Sequence, residues 1–211
     1  MPISSEVEVY QLRVYLRKIS PIIWRRLLVR SDSTIADLHH TLQIVMNWDD
    51  YHLHHFLIRS KRYGIAQIGG FGFMDDAYEV YLDSIHFHPG EKFVYTYNYY
   101  DDWQLEIRLE ERLPLDSQKN YPLCVGGKRA APLDDDGGPW RFMEFRQKYS
   151  IWEISERLLE IFDDKDLAEN RDYYMGEVSN YYRWLNLDRF DWREINQRLQ
   201  TIDHEEEDAW E

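Results

Sequence analysis

Alternation of hydrophobic and polar positions near the N-terminus predicts a two-stranded hairpin. Over most of residues 7–19, apolar side chains occupy every second position, which is the period of a half-buried strand. Ser20 and Pro21 interrupt this pattern, and the apolar-rich run over residues 22–29 predicts the second strand. The two strands are therefore expected to pair as a hairpin.

Helical periodicity follows this hairpin directly. Thr34 and Asp37 have the spacing of a capping box, with Asp in place of the usual Glu or Gln. The apolar positions that follow at helical spacing are Ile35, Leu38, Leu42, Val45 and Met46. We therefore expect an amphipathic helix over residues 34–47, with its apolar stripe lying across the hairpin.

More strands are predicted after this helix. Residues 53–59 indicate a third strand, and the glycine-containing stretch 61–77 indicates an irregular segment. Residues 92–99 and 103–109 alternate strongly, and the polar connection at residues 100–102 suits a hairpin tip. The residues expected to share a face within each strand are Phe93, Tyr95, Tyr97 and Tyr99, and then Trp103, Leu105, Ile107 and Leu109.

The C-terminal third changes to helical patterns. Ser150 and Glu153 form another capping-box pair, residues 181–185 are apolar enough to pack, and residues 188–202 predict a closing amphipathic helix. We expect an α+β fold with a mostly antiparallel sheet, one helix packed across the N-terminal hairpin, and C-terminal helices; this order resembles a ubiquitin-like roll. The chain is expected to be one domain over residues 1–211, with a core at 1–145, packed helices at 146–202 and an acidic tail at 203–211.

Composition restricts the classes of function. The formal net charge of −14 argues against a nucleic-acid backbone as the main partner, because such binding depends on clustered Lys and Arg. There is one cysteine, so an internal disulfide is excluded. The N-terminus lacks the pattern of an export signal and no run of 18 apolar residues occurs, so we expect a cytoplasmic location without membrane insertion.

The segment over residues 121–140 is the most distinctive part of the chain. It places three consecutive aspartates between two glycine pairs and closes on Pro139 and Trp140. Glycine permits positive φ and proline restricts φ, so such a loop has a defined shape that concentrates carboxylates. The candidate binding residues from this loop and the hairpin tip are Asp101, Asp102, Trp103, Asp134, Asp135, Asp136, Gly137, Gly138 and Trp140.

A divalent cation is one ligand that these residues suggest. Hard cations prefer oxygen ligands, whereas imidazole suits transition metals, and His-x-His pairs occur at residues 52–54 and 86–88. The candidate metal ligands are His52, His54, Asp102, Asp134 and Asp136. The competing interpretation is structural, with the aspartates forming Asx turns and the histidines bonded to the backbone.

Cysteine chemistry and exposed aromatic side chains are two further possibilities. Cys124 has no basic partner nearby in sequence, so a buried apolar cysteine is favoured over a nucleophile. Aromatic residues either form a protein-binding surface or fill the seam between the sheet and the C-terminal helices. These aromatics are Tyr99, Tyr100, Tyr173, Tyr174, Tyr181 and Tyr182.

Several motifs together resemble the plasmid pRiA ORF-three-like family, some members of which are labelled transposon passenger TnpR proteins. The similar segments are the Pro-Ile-Ile-Trp-Arg run at 21–25, the helix at 34–48 with His-Leu-His-His-Phe at 52–56, residues 93–110, residues 121–140, and Phe-Asp-Trp-Arg-Glu-Ile-Asn at 190–196. Family members tend to carry cysteines in the glycine loop, where this chain has Ala131 and Asp136. The resemblance implies no established reaction.

The expected function is that of a cytoplasmic binding or accessory protein, associated with plasmid or mobile-element genes and with a protein as partner. The acidic charge and the lack of a basic helix-turn-helix argue against DNA strand exchange. The alternative is a metal-dependent enzyme that uses the aspartate loop and the hairpin tip.

Overall fold

A computed structural model describes residues 6–70 and 72–201. These residues form seven strands, five α-helices and one short 3₁₀ turn at Asp83–Ile85. In chain order the elements are β1 (Glu8–Leu16), β2 (Trp24–Arg30), α1 (Ile35–Met46), β3 (His54–Ile58), β4 (Lys61–Tyr63), β5 (Lys92–Tyr97), β6 (Trp103–Pro114), β7 (Leu123–Lys128), α2 (Gly138–Lys148), α3 (Ile151–Asp163), α4 (Arg171–Leu185) and α5 (Trp192–Leu199).

The strands form one sheet in the order β4-β3-β5-β6-β1-β2-β7. Every strand pair in it is antiparallel, which confirms the α+β class with an antiparallel sheet. The predicted N-terminal hairpin is present as β1 paired with β2. On β1, Tyr10, Leu12, Val14 and Leu16 are buried in the main core. Val9 is buried too, but it lies outside this cluster, and the register with β6 shifts between Gln11 and Leu12.

The first helix confirms the capping-box prediction. The Thr34 hydroxyl accepts from Asp37 N–H at 3.0 Å, and Asp37 Oδ2 accepts from Thr34 N–H at 2.7 Å. The helix ends where Asn47 takes a left-handed conformation, with φ of 56°. Its apolar side chains belong to the same core cluster as those of β1 and β2. Helix α1 therefore packs on the sheet, and this packing fixes the positions of its polar side chains.

Two elements lie inside the stretch predicted as a glycine–aspartate loop. Residues 123–128 form strand β7, which pairs with β2, and helix α2 begins at Gly138. The loop proper is therefore shorter, over residues 129–137. The segment predicted as irregular at 61–77 also begins with a strand, β4, which pairs with β3.

The C-terminal helices share the core of the sheet. Ser150 is the N-cap of α3, and its hydroxyl accepts from Glu153 N–H at 3.3 Å, which is the N-cap half of the predicted capping box. Helix α4 is longer than its predicted apolar segment, and α5 ends at Leu199. Buried side chains of these helices that join the main cluster are Ile154, Tyr181, Trp184, Ile195 and Leu199. Ile202 and the acidic tail lie outside the described residues.

None of the helices in the described ranges combines the length and the apolar character that a bilayer crossing requires.

Candidate functional site

The glycine–aspartate loop meets the tip of the β5–β6 hairpin. Gly137 N–H donates to Asp101 Oδ2 at 2.9 Å. Gly138 has φ of +81°, and a Cβ at this position would lie 2.4 Å from the Asp101 carbonyl oxygen. A side chain is excluded there by both backbone conformation and space. The two acidic segments, remote in sequence, are therefore in direct contact.

Asp134 is the most enclosed aspartate of the loop. Its side chain accepts from Tyr97 O–H at 3.2 Å and from Asp49 N–H at 3.3 Å. Its carbonyl oxygen accepts from Asn98 Nδ2 at 3.0 Å and from Trp103 Nε1 at 2.9 Å. Since these donors come from β5, β6 and the segment after α1, Asp134 links three parts of the fold.

The other loop residues face different partners. Asp136 Oδ2 accepts from Arg183 of α4 at 2.6 Å, whereas Asp102 pairs with Lys18 at 2.8 Å. Asp135 is largely exposed and lies 3.1 Å from His52 Nε2. Trp140, on α2, is 80% exposed, so it contributes to the surface and not to the contact between loop and tip.

The local environment shifts the two tip carboxyls in opposite directions. Burial raises the pKa of Asp101, against the opposing effect of the Gly137 N–H. For Asp102, burial also raises the pKa, but hydrogen bonds from Lys18 and Gln104 outweigh burial and lower it overall. The carboxylates of loop and tip thus serve mainly as acceptors for the protein's own donors.

The predicted metal ligands are dispersed. Among residues 6–70 and 72–201, one group of at least three His, Cys, Asp or Glu side chains brings donor atoms within 4.8 Å of one another, and it consists of His39, Asp50 and His54. Of the predicted ligands only His54 belongs to it. The sequence could have indicated His39, because this residue lies on the apolar stripe of α1, where a polar side chain needs a buried partner.

This histidine cluster is a buried hydrogen-bond network in which, among the described residues, His54 Nδ1 has no partner. Burial lowers the pKa of His39 and lowers that of His54 to about 3, so both rings are neutral at pH 7. With His39 neutral, one assignment satisfies its neighbours: Tyr95 O–H donates to Nδ1 at 2.8 Å, and Nε2–H donates to Asp50 Oδ1 at 2.7 Å. Gln43 Nε2–H donates to the Tyr95 oxygen at 2.7 Å.

The cluster is not a preformed metal cage. The rings of His39 and His54 stack with centroids 3.6 Å apart and planes 14° apart. Imidazole binds a metal along its ring plane, so the lone pairs of stacked rings run side by side and do not converge. His54 Nε2 also accepts from Ile65 N–H at 3.2 Å. A metal at the predicted residues stays a prediction.

Cys124 is held between β7 and α5. It is fully buried, and burial raises its pKa, so the thiol is not activated. Asn196 of α5 accepts from Cys124 N–H at 2.7 Å and donates to Cys124 O at 2.9 Å. This geometry indicates a structural position and agrees with the favoured interpretation of the sequence.

The tyrosines divide between core and surface. Tyr181 is buried, whereas Tyr100, Tyr173 and Tyr182 are exposed. Several large apolar residues of α3 are exposed as well, with fractions between 62% and 78%. They are Ile151, Trp152, Leu159 and Phe162. We call these four residues the α3 face.

Comparison with known proteins gives matches of unassigned function. A family model described as "Plasmid pRiA4b ORF-3-like protein" matches residues 8–197. The chain is 30% identical over 138 residues to "Uncharacterized protein y4hQ" of Sinorhizobium fredii. The matched region covers 65% of this chain and 71% of that protein. The crystal structure of a protein of unknown function, MM3350 from Methanosarcina mazei Go1, is similar with a TM-score of 0.64 and 29% identity, over 90% of this chain and 97% of that one.

Proposed function

This chain belongs to the plasmid pRiA4b ORF-3-like family, and we propose that it is a cytoplasmic binding or accessory protein that docks a protein partner on the α3 face. An association with plasmid or mobile-element genes is part of the same proposal. The observation that carries it is the exposure of four large apolar side chains on one helix.

The apolar residues of α3 extend well beyond the part that the fold covers. Ile154 and Ile161 are buried and Leu158 is half-buried, and these three define the inward side of the helix. At about 100° per residue, the α3 face continues this apolar stripe until it spans roughly half of the circumference. The fold uses one side of the stripe, and the other side is available to a partner.

The charges beside the α3 face favour a basic partner. Four acidic residues lie next to the α3 face, on the side away from the buried residues of the helix. They are Glu153, Glu156, Glu160 and Asp163. A partner segment with apolar anchors and a flanking row of Lys or Arg would match both features. An anionic membrane surface would be repelled, and a second copy of the chain would bring another formal charge of −14.

A pair of labelled helical peptides tests this proposal. Both carry the same leucines at helical spacing, and one has lysines and the other glutamates on its polar face. Fluorescence anisotropy with the full chain should detect the lysine peptide and not the glutamate peptide. Leu159→Glu should weaken binding about tenfold or more, because it places a charge in the centre of the apolar contact.

Tyr100→Ala is the matched control. Tyr100 is 97% exposed at the hairpin tip, outside the α3 face, so its removal should leave the affinity unchanged. Equal binding of both peptides, or an equal loss in the two variants, would contradict docking at this face. Sedimentation velocity that revealed self-association through the α3 face would replace the proposed partner with a second copy.

A further inference from the structure

An open cavity of about 530 Å³ lies between the end of α1, the segment around residues 130–133, and the α4–α5 connection. Its lining contains four arginines and two carboxylates, although the whole chain has a net charge of −14. The arginines are Arg25, Arg183, Arg189 and Arg198. We propose that this cavity binds a small organic anion that joins an apolar body to a carboxylate or phosphate group.

Arg25 is the central feature of the site. Its side chain is 2% exposed, and among the described residues it has no carboxylate partner. Nε donates to Val45 O at 2.9 Å, and Nη1 donates to the carbonyl oxygens of Trp24 at 2.9 Å and Lys128 at 3.2 Å. Nη2 makes no hydrogen bond to any described residue. The guanidinium is thus held in place with one donor nitrogen unused.

The surroundings of Arg25 explain why its charge persists. The carbonyl of Val45 belongs to the last turn of α1, where a cation is favourable, and the guanidinium lies 3.9 Å from the ring centroid of Phe190. Burial lowers the pKa of Arg25 to about 10, so it remains charged at neutral pH. A buried cation without a counter-ion is a suitable receptor for an anion that enters the cavity.

Two other arginines of the cavity are also available. Among the described residues, Arg189 is exposed and forms no ion pair, and the Arg198 side chain donates only to the neutral Asn47 Oδ1, at 2.5 Å. Arg183 is already paired with Asp136. Of the two carboxylates in the lining, Asp191 accepts from two N–H groups at the start of α5. Asp191, Glu194 and the Asp136 partner of Arg183 supply three negative charges against the four arginines, so among the described residues one positive charge remains in excess at the cavity.

Apart from Asn47 and Asn186, the remainder of the lining is apolar, and these apolar side chains define the ligand class. They include Val45, Met46, Leu133 and Ile195. Ligand sites commonly combine an apolar surface with a few placed polar groups, and their volumes are on the order of 300–1,000 Å³. A ligand with an aromatic or aliphatic body could cover these side chains while its oxyanion reaches the arginines.

Calorimetric titration of the full chain with phenyl phosphate and benzoate tests the site, with benzyl alcohol as the uncharged match. At least one of the two anions should bind saturably at one site per chain, and benzyl alcohol should not. Arg189→Gln and Arg198→Gln should each weaken binding by a factor on the order of ten, through loss of a charge-assisted hydrogen bond. The preference between phenyl phosphate and benzoate identifies the anionic group.

Arg193→Gln is the control, since Arg193 is on the same helix α5 as Arg198 but does not line the cavity. Equal losses in Arg193→Gln and Arg198→Gln would overturn the proposal, because they would indicate a general effect of charge. Binding of benzyl alcohol as tightly as benzoate would overturn it too, and so would binding of inorganic phosphate as tightly as phenyl phosphate. No residue of the α3 face lines the cavity, so the outcome of this titration is independent of the outcome of the peptide experiment.

Discussion

Gly138 illustrates how a single position joins two distant segments. Its positive φ and the close approach of the Asp101 carbonyl oxygen bring the end of the glycine–aspartate loop against the hairpin tip. Next to it, Gly137 N–H and the Asp101 carboxylate form a hydrogen bond. The contact therefore depends on the absence of a side chain at Gly138 and on the Asp101 carboxylate that accepts from Gly137 N–H.

Replacement of Gly138 by alanine should destabilise the fold by about 3 kcal/mol, because a methyl group requires both a strained backbone and a shift of the Asp101 backbone. Urea unfolding measures this change. Gly176→Ala on α4 is the control: apart from the backbone of its own helix, no atom of the described residues lies within 4 Å of its Cβ position, and alanine should stabilise that helix by roughly 0.5–1 kcal/mol. Equal stability of the two variants would contradict the close contact.

His54 connects the histidine cluster to the pH dependence of stability. Its pKa is lowered by burial to about 3, whereas an unfolded histidine titrates near pH 6.5. Between pH 3 and pH 6.5, His54 is protonated in the unfolded chain and neutral in the folded chain. The free energy of unfolding should therefore fall as the pH drops from about 6.5 toward 3, by at most about 1.4 kcal/mol per pH unit from this residue.

The variant His54→Gln should reduce that slope, because glutamine does not titrate and its oxygen can still accept from Ile65 N–H. Urea unfolding at pH 7, 6 and 5 provides the measurement. His88→Gln, which removes an exposed histidine of the second His-x-His pair, should keep the wild-type slope. A slope unchanged by His54→Gln would exclude His54 as its source.

Strand β7 is completed by an element from the other end of the chain. Asn196 of α5 bonds both backbone groups of Cys124, and Phe190 packs so closely that a Cβ on Gly127 would lie 2.3 Å from Phe190 Cε1. The edge of the sheet is therefore covered by side chains from residues 190–196, and the strand and helix are expected to form as a unit.

Substitution of Asn196 by alanine should cost about 2–3 kcal/mol, because it leaves the buried N–H and carbonyl of Cys124 without partners. Chemical unfolding checks the value. Gln197→Ala changes the exposed neighbour on the same helix and should alter stability by less than about 0.5 kcal/mol. A small loss of stability in Asn196→Ala would show that the two hydrogen bonds between Asn196 and Cys124 contribute little to the free energy of unfolding.

The molecule as a whole is organised around one apolar cluster. Residues of β1, β2, β5, β6 and α1 share it with buried side chains of α3, α4 and α5. Polar side chains gather at three places, namely the loop–tip contact, the arginine cavity, and the histidine network, which is buried beside Tyr95 of the core. Shared burial of this kind couples the C-terminal helices to the sheet.

Unfolding should accordingly proceed in a single transition, as expected for one domain. Far-UV circular dichroism reports the helices, and near-UV circular dichroism reports the buried aromatic side chains of the core. Both signals should give the same urea midpoint. Loss of the far-UV signal at a lower urea concentration would mean that α3 and α4 unfold separately.

Much of the local structure was predictable from short-range pattern. The hairpin, α1 and the start of α3 follow from alternation, helical spacing and capping residues such as Thr34 and Ser150, and each of these signals acts within a few residues. Strand β7 was missed because its glycines suggest a loop, and its partners β2 and α5 are distant in sequence.

The sequence by itself determined the N-terminal hairpin, α1, the start of α3 and the positions of the acidic residues, because those properties are local. Only the tertiary structure decided that the loop aspartates bond the protein's own donors and that His54 stacks on His39. The tertiary structure also decided that Arg25 lies beside a cavity, with one donor nitrogen that no described residue accepts from. The role of a polar group depends on the partner with which it forms a hydrogen bond. In these cases the partner is remote in sequence, so only the folded structure shows which residue it is.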